Sequence, residues 1–459
     1  MRKLTLSTFA LLLGAAGLIA ACTTESTNAA NTSPAPDGGG TDGGSVTCDI
    51  GGSGTVNITI TGLPESVKVD PSSQIVHFKG KTQTAGAAVT ASLATPSDQY
   101  EATADVMFGA DPIVRTAYAA TITPSSFCVG KDQKVDVTVT YAPIPSSNKL
   151  WTTGNATAGQ VLGFASSTLA STSTQSATVA VKSPAGGSLA FDAEGNLWTL
   201  NATVTDAPIQ RYAASTLGTS GDKTPDRSLT VDAGCVPGLT ALAFSPTGEL
   251  YVSSACGKKI SRLPATGIAA SGTPTPDLTL TGLGAPEGLA FDKAGNLWVA
   301  DSGNKTIARF DAARLQTPSA DPPNLVVTAK TATAGDLPPN YLAFAPNGDL
   351  WASSFGGNVL YRLTSADQAG AGTKEMTPAI QLTLPVDALI EGLAFDESGS
   401  LWVTLSTGKF GRISPAQLAT STTAGAPTIP EVIITSADIG NAQTLAFYPP
   451  PSSSPIFGH

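Results

Sequence analysis

A short motif recurs through the C-terminal two thirds of this 459-residue chain. Each copy reads Leu-Ala-Phe, then a polar turn, then Leu-Trp or Leu-Tyr. The copies begin at leucines that lie 53, 47, 53, 51 and 52 residues apart, namely Leu189, Leu242, Leu289, Leu342, Leu393 and Leu445. This period is the length of one four-stranded propeller blade. The spacing therefore predicts an all-β chain that contains a β-propeller.

Two incomplete copies of the motif lie at the ends of the repeat region. Leu150–Trp151 has no Leu-Ala-Phe before it, and Leu445 has no Leu-Trp after it. The two halves complement each other, so the sequence predicts a six-bladed propeller over residues 143–459. We expect the C-terminal strand to close the ring by pairing with the N-terminal one, because closure leaves no exposed sheet edge.

One aromatic residue per copy follows the second leucine, and all five tryptophans of the chain occupy this position. Such a row could form a platform for sugars, but one large side chain per blade is typical of packing between neighbouring sheets. We therefore expect the tryptophans in the core. An arginine also recurs in the following strand, and its recurrence indicates structural ion pairs rather than catalysis: Arg211, Arg262, Arg309, Arg362 and Arg412.

The hairpin that joins Leu-Ala-Phe to Leu-Trp carries a glycine four residues after the phenylalanine, as in Phe291 and Gly295. Glycine adopts positive φ without steric cost, and Asp or Ser accepts hydrogen bonds at the start of a turn. The sequence therefore predicts short hairpins between the first two strands of each blade.

The first 22 residues have the features of an export signal. Two basic residues precede an apolar run from Leu4 to Ala21, which indicates a signal peptide over residues 1–21 rather than a membrane span. The run ends in Ile-Ala-Ala-Cys, which resembles a bacterial lipobox and implies a lipid on Cys22. The alternative is an ordinary signal peptide, with Cys22 lost or unmodified. By resemblance to Gram-negative lipoproteins, Thr23 favours the outer membrane.

Residues 22–47 are rich in Gly, Ser, Thr and Pro and have no apolar periodicity, so we expect a flexible linker after the lipid. No later stretch is apolar for long enough to span a bilayer. Only 13% of residues are charged, the net charge is −10 and no basic run exists, which excludes nucleic acid as an expected partner.

Residues 48–142 alternate between apolar and polar positions, as in Val56, Ile58 and Ile60. About seven short strands, separated by turn residues, predict an immunoglobulin-like β-sandwich. His77 lies in one of these strands, and we expect it to be an ordinary strand residue rather than a ligand. The sandwich is interpreted as a spacer or an adhesive module.

Four cysteines remain once Cys22 is assigned to the lipid, and they fall into two pairs by domain. We expect disulfides between Cys48 and Cys128 and between Cys235 and Cys256, since an exported chain enters an oxidising compartment. Neither pair has Cys-x-x-Cys or histidine-bearing spacing, which makes zinc and redox roles unexpected.

The stretch Ala285–Phe310 ("APEGLAFDKAGNLWVADSGNKTIARF") resembles the NHL-repeat and gluconolactonase-like six-bladed propellers, and weaker copies cover most of 143–459. The resemblance implies architecture more than activity, because propellers include binders, scaffolds, hydrolases and lyases. Streptogramin-inactivating lyases of this fold use a histidine base. Apart from His77 this chain has only His459, so that chemistry has no candidate.

In such propellers the residue two before the leucine of Leu-Ala-Phe lies near the mouth of the central channel. Around the ring these residues are Gly187, Thr240, Glu287, Asn340, Glu391 and Gln443. The gluconolactonase-like family binds a divalent metal there, so the resemblance implies that Glu287, Asn340 and Glu391 bind calcium or another divalent cation, with Gln443 beside them. Tyr341 stands where the family has glycine. The alternative is a water-filled channel without an ion.

Two functions follow. The first is a lipid-anchored, monomeric, extracytoplasmic module that binds a protein, peptide or glycan and has no catalytic residue. The second is a metal-dependent lactonase or related hydrolase, in which the cation held by Glu287, Asn340 and Glu391 polarises a carbonyl and activates water. No nucleophile motif, phosphate-binding loop or metalloprotease histidine pair is present.

Overall fold

The computed structural model of the protein describes most of the chain after residue 51: residues 52–64, 67, 74–79, 84–86, 90–96, 98–108, 117–143, 149–154, 159–182, 187–192, 194–200, 209–232, 239–316, 322–331, 333, 335–386, 388, 390–405, 408–440 and 444–448. The predicted signal peptide, the linker, Cys22 and Cys48 lie outside these residues, as do Cys235 and Gln443. Within the described ranges, no helix has the length and apolar character needed to cross a bilayer.

The N-terminal part is a sandwich of two β-sheets. One sheet has the strand order Thr90–Pro96, Ser53–Thr61, Lys134–Pro143, Ala117–Thr123 and Met107–Phe108. The other has the order Thr84–Gly86, Gln74–Lys79, Asp98–Ala104 and Ser126–Val129. The described residues thus contain nine short strands where the sequence predicts about seven. The first and last strands lie side by side in parallel.

One apolar core lies between the two sheets. Val56, Ile58 and Ile60 alternate with more exposed residues along the first strand, as their spacing predicts. They share the core with Tyr100 and Phe127 of the other sheet. The two-sheet architecture is therefore confirmed, while its assignment to the immunoglobulin-like type stays a prediction.

The repeat region forms six β-sheets, each a propeller blade. We name the strands inner, second, third and outer, and number the blades from the first tryptophan. In that order, blade 1 contains Leu445–Tyr448, Lys149–Gly154, Gln160–Ala165 and Val179–Lys182, and blade 2 contains Leu189–Phe191, Leu197–Leu200, Ile209–Tyr212 and Arg227–Leu229. Blade 3 contains Leu239–Phe244, Leu250–Ser254, Lys259–Leu263 and Leu278–Leu280, and blade 4 contains Pro286–Phe291, Leu297–Asp301, Thr306–Phe310 and Leu325–Ala329. Blade 5 contains Pro339–Phe344, Leu350–Ser354, Val359–Leu363 and Gln381–Thr383, and blade 6 contains Leu393–Phe395, Leu401–Thr404, Lys409–Ile413 and Val432–Thr435.

The C-terminal strand closes the ring, as the half-motifs predict. Leu445–Tyr448 pairs antiparallel with Lys149–Gly154, from Thr152 opposite Leu445 to Lys149 opposite Tyr448. Each inner strand also contacts the inner strands of both neighbouring blades, so the contacts run once around the ring.

Neighbouring blades are further tied at their outer edges. The connection between the third and outer strands of one blade adds a short parallel strand to the outer strand of the preceding blade. This happens with Gly221–Asp222 on blade 1, Gly372–Met376 on blade 4 and Ser173–Thr174 on blade 6. These added strands cover outer edges that would otherwise be free to pair with another chain.

The same connections contain the short helical segments found among the described residues. Four of these are 3-10 turns and one is a single α-helical turn: Ser166–Thr168, Ala214–Thr216, Arg314–Gln316, Gln417–Ala419 and Ser365–Gln368. The α-helical turn has a complete capping box, in which Thr364 and Asp367 bond each other's backbone. The turn between inner and second strands repeats as well, and its glycine has φ of +80 in blade 2 and +79 in blade 4.

The tryptophan of each motif is a core residue. All five are at most 2% exposed, and Tyr251 takes their place in blade 3. In blades 2, 4 and 6 the turn aspartate accepts a hydrogen bond from the indole N–H, as Asp292 Oδ2 does from Trp298 Nε1 at 3.0 Å. The aspartate therefore links the hairpin to the core, and a sugar-stacking role for the tryptophans is not needed to explain their positions.

The recurring arginines are structural, as predicted. Arg211 and Arg262 each form a two-bond ion pair, with Asp226 and Asp277 respectively. In blades 2, 4 and 6 the guanidinium also lies 5.6–5.8 Å from the centre of the neighbouring tryptophan ring.

The two ends of the propeller differ. We call the end where the inner strands begin the channel mouth, and the opposite end, where the turns to the second strands lie, the hairpin end. The sandwich meets the propeller beside blades 1 and 2, where Val106 and Ala119 pack against the cluster that contains Trp151 and Tyr448. Sandwich residues also line a cleft with the turns of blades 2 and 3 at the hairpin end, which leaves the channel mouth on the far side.

Candidate functional site

The inner strands of blades 3, 4 and 5 begin with an irregularity at the channel mouth. Their pairing with the second strand shifts register between Leu239 and Ala241, between Pro286 and Leu289, and between Pro339 and Leu342. A β-bulge re-aims the side chains within it. Thr240, Glu287 and Asn340 lie in these three bulges, which explains why their side chains leave the regular alternation of the strand.

A layer of buried hydroxyls holds the beginnings of the inner strands. Ser353 Oγ accepts a hydrogen bond from Tyr341 N at 3.1 Å, and Thr404 Oγ1 accepts one from Glu391 N at 2.7 Å. Both hydroxyl residues are fully buried and lie two positions after the tryptophan of the second strand. The backbone of the predicted site is thus fixed from behind by side chains that sequence reasoning did not select.

The glycines of the two Glu-Gly pairs permit close approach of neighbouring blades. A Cβ on Gly288 would lie 2.8 Å from Asn340 O and 2.8 Å from Tyr341 Cα. A Cβ on Gly392 would lie 2.8 Å from the backbone of Thr444. Blades 4 and 5, and blades 6 and 1, therefore meet at the mouth at distances that only glycine allows.

Glu287 and Glu391 are partly buried carboxylates. Burial raises the pKa of Glu287, and the charge of Asp301 raises it further, while a 3.4 Å hydrogen bond from Ser302 Oγ opposes the rise. Burial also raises the pKa of Glu391. No lysine or arginine in the described part of the chain forms an ion pair with either carboxylate. Both therefore carry a desolvation cost that no protein cation offsets.

Asn340 lies at the equivalent position of blade 5, between these two blades. It is 9% exposed, and its side-chain amide has no hydrogen-bond partner among the described residues. Its amide atoms are also not sealed from solvent. A buried amide normally has partners. The amide of Asn340 is therefore able to hydrogen-bond a ligand or water from the channel.

Tyr341 is a member of the site that sequence reasoning treated only as a departure from the family pattern. Burial raises the pKa of its phenol, and the charges of Glu391 and Glu287 raise it further. Both carboxylates are thus within electrostatic reach of one phenol, which places the mouth residues of blades 4, 5 and 6 around Tyr341.

Asp301 does not belong to this set. It is 1% exposed and accepts hydrogen bonds from Gly284 N, Ala285 N and Asn304 Nδ2. It anchors the turn that precedes the inner strand of blade 4.

The other predicted ligand positions differ in outcome. The hydroxyl of Thr240 already has a partner within the fold, because it donates a hydrogen bond to Pro286 O at 2.8 Å. Gln443 lies outside the described residues. The donor set at the mouth is two carboxylates, one amide and a phenol, and the described residues contain no metal-binding group of three or more His, Cys, Asp or Glu side chains. Oxygen donors of this kind suit a hard cation rather than zinc.

Two of the four cysteines predicted to form disulfides lie among the described residues. Cys128 and Cys256 are both disulfide-bonded. Their predicted partners, Cys48 and Cys235, lie outside the described residues, as does Cys22. The two pairings and the lipidation therefore stay predictions.

Residues 283–310 match the NHL repeat family. This is the stretch whose resemblance to NHL repeats the sequence analysis noted, and the resemblance is confirmed there. A search of curated proteins gave no match.

Solved structures of β-propeller proteins are similar to this chain at low identity. Virginiamycin B lyase from Staphylococcus aureus is 19% identical over 51% of this chain and 68% of that chain, with a TM-score of 0.31. A streptogramin B lyase is 13% identical over 66% and 87%, with a TM-score of 0.37. A putative 6-phosphogluconolactonase from Bacteroides uniformis is 13% identical over 58% and 80%, with a TM-score of 0.41. These values carry no argument about activity.

Proposed function

We propose that this protein is a lipid-anchored, extracytoplasmic binding module whose ligand site is the channel mouth of the propeller. The site takes a divalent cation, with calcium the first candidate, held by Glu287, Asn340 and Glu391. One observation carries this proposal: the amide of Asn340 is nine-tenths buried and has no partner among the described residues, between two carboxylates that also lack a cation.

A bound cation would balance the charge of the two carboxylates and would also give the Asn340 amide a partner. Carboxylates in a partly desolvated site favour protonation or a counter-charge. Calcium accepts carboxylate, amide carbonyl and water oxygens in flexible geometry. When bound, it would supply a fixed positive charge at the mouth, to which an anionic or carbonyl-bearing partner can attach. Gly288 and Gly392 let the backbones of neighbouring blades lie close together at this mouth.

The test is a calorimetric titration of the metal-stripped full chain with calcium. The comparison variant is Glu287→Gln/Glu391→Gln, which keeps shape and hydrogen bonding but removes both charges. We expect one site in the wild type and its loss in the double variant. Equal heats in both proteins, or none in either with a correctly folded sample, would refute the cation site.

A second candidate is hydrolysis of a lactone or related ester at the same mouth. The observation in its favour is the raised pKa of Glu287 and Glu391, because a general base works best with a pKa nearer the operating pH than that of an exposed carboxylate. Either side chain could take a proton from a water positioned by Asn340. Turnover of a lactone panel that is lost in the double variant would favour this function. Binding without turnover would instead favour the binding module.

The anchor proposal is supported by the sequence of the first 22 residues alone. Replacing Cys22 with Ser should move the protein from the membrane fraction to the soluble fraction. A serine variant that sediments with membranes as the wild type does would exclude a lipid on Cys22 as the anchor.

A further inference from the structure

A cleft of about 880 Å³ separates the sandwich from blades 2 and 3 at the hairpin end of the propeller. His77, Asp105 and Val106 line it from the sandwich, and Glu194, Arg227 and Ile268 line it from the propeller. It lies at the opposite end from the channel mouth and shares no residue with the proposed cation site. Pockets of this size at domain boundaries accommodate organic ligands.

The repeat provides an internal reference for what a blade needs at each position. Opposite the recurring arginine of the third strand, the outer strand places an apolar residue in blades 3, 4 and 6, and these residues are 1–4% exposed: Leu278, Leu325 and Val432. Blade 1 has Val179 and blade 5 has Ile380 at the corresponding place, and both are buried. Only blade 2 has a charged residue there, Arg227, opposite Arg211.

Arg227 is costly for the blade in which it lies. Burial lowers the pKa of its guanidinium and repulsion by Arg211 lowers it further, while the charges of Asp226, Asp192 and Glu194 oppose this fall in the pKa. Like charges that lie opposite each other on neighbouring strands are destabilising. Its one hydrogen bond among the described residues is from Nη1 to Ile268 O, at 2.8 Å. Its remaining N–H groups form no hydrogen bond with a described residue, so the blade uses only a small part of the hydrogen-bonding capacity of this arginine.

A second departure from the repeat faces the same cleft. The turn between inner and second strands has a small or uncharged residue before its glycine in the other blades, namely Thr247, Ala294, Asn347 and Ser398. Blade 2 has Glu194, an exposed carboxylate. Glu194 is within electrostatic reach of Arg227 but forms no ion pair with it. A strong acceptor and a strong donor thus share the cleft without satisfying each other.

The sandwich adds a third polar group that the fold holds in place. His77 Nε2 lies 3.1 Å from Asp105 Oδ1, and Tyr141 Oη donates to Asp105 O at 2.9 Å. The side chain of His77 is 36% exposed and lines the cleft.

From these positions we infer that the cleft is a binding site for a neutral oligosaccharide. Hydroxyl groups both donate and accept, so adjacent hydroxyls can bridge the gap between the Arg227 guanidinium and the Glu194 carboxylate. The three carboxylates that line the cleft outnumber its two guanidinium groups, so the lining does not favour an anionic ligand: Asp105, Asp192 and Glu194 against Arg211 and Arg227. The apolar floor formed by Val106 and Ile268 suits the C–H faces of sugar rings.

The test uses purified full-length protein on an array of neutral oligosaccharides of glucose, galactose, mannose and N-acetylglucosamine, beside sialylated and sulfated ones. The decisive variant is Arg227→Leu, because leucine is what blade 3 has at this position. We expect it to melt at the same temperature as the wild type or higher, and to bind the retained neutral sugars about tenfold or more weakly. Glu194→Ala, which copies the turn of blade 4, should weaken binding similarly.

Ile429→Ala serves as the control that leaves sugar binding unchanged, because Ile429 is exposed on blade 6 and does not line the cleft. Retention of no neutral oligosaccharide by the wild type would overturn the inference, as would retention of acidic ones only. Equal binding by the wild type and Arg227→Leu would overturn it too. A destabilised Arg227→Leu variant would contradict the argument that the blade does not depend on this arginine.

Discussion

Phe447 lies on the closing strand of the propeller, and truncation of its side chain tests ring closure. It is 5% exposed and packs in one cluster with residues of blades 1 and 6. Its ring lies edge-to-face on Trp402, with centroids 6.3 Å apart. The strand that carries it is only four residues long, so few other contacts hold the blade shut.

The expected cost of Phe447→Ala follows from these contacts. Truncating a buried phenylalanine to alanine costs about 3–5 kcal/mol, from lost transfer free energy and the cavity left behind. The contact with Trp402 adds about 0.5–1.5 kcal/mol to the pair, which places the change toward the upper part of that range. A domain typically has about 5–15 kcal/mol of stability in total. The variant should therefore lose a large fraction of the free energy of unfolding of the propeller.

Urea unfolding followed by tryptophan fluorescence measures this directly, because all five tryptophans lie in the propeller and none in the sandwich. The matched control is Phe355→Ala, since Phe355 is 52% exposed and its truncation should change stability by no more than about 0.5 kcal/mol. A loss below about 1 kcal/mol for Phe447→Ala, or a loss equal to that of the control, would refute closure through this strand.

Three further predictions test other parts of the structure. Gly288→Ala forces the inner strands of blades 4 and 5 apart and should cost about 1–3 kcal/mol in urea unfolding, whereas Gly425→Ala, with open space around it, should cost little. Burial raises the pKa of Asp192 to about 6, so its contribution to the free energy of unfolding is fully favourable below about pH 4 and is lost as pH rises through 6. The free energy of unfolding of the wild type should therefore fall by about 3 kcal/mol over that interval. Asp192→Asn should abolish this fall, whereas Asp292→Asn, at the same turn position of blade 4, should not. Non-reducing peptide mapping should link Cys128 to the peptide that contains Cys48; any other partner would refute the predicted pairing.

Most of the fold could be predicted from the sequence, because each copy of the repeat indicates the same kind of blade. A period close to 50 residues predicts blades, and the two half-motifs predict closure, since neither half can complete a sheet alone. The core role of Trp298 and the ion pairs of Arg262 follow from their recurrence. A feature present in every blade has to serve the blade.

The channel mouth was accessible only in part. Glu287, Asn340 and Glu391 share one position in the repeat, and the resemblance to gluconolactonase-like propellers pointed to that position as a metal site. Tyr341 was not found, because the β-bulge that places it at the mouth is a register shift with no one-residue signal. The hydroxyl of Ser353 was missed for a related reason, since its partner is a backbone N–H rather than a side chain.

The cleft beside the sandwich was not predicted, although its unusual propeller residue, Arg227, can be recognised in the sequence. Arg227 interrupts a column of apolar residues, and aligned outer strands would have revealed it. What the sequence does not contain is the position of the sandwich, which brings His77 and Asp105 opposite blade 2. That placement depends on packing between distant segments.

Luminescence of terbium tests the central claim most directly, because Tb³⁺ replaces calcium at oxygen sites and emits when a nearby excited phenol transfers energy to it. Titration of the metal-stripped full chain should give emission that is excited through tyrosine and displaced by calcium. Tyr341→Phe should lose the emission but retain calcium binding by calorimetry, and Asn340→Leu should lose both. Emission that survives unchanged in Tyr341→Phe and Asn340→Leu, or no emission from the wild type, would contradict a cation at the channel mouth.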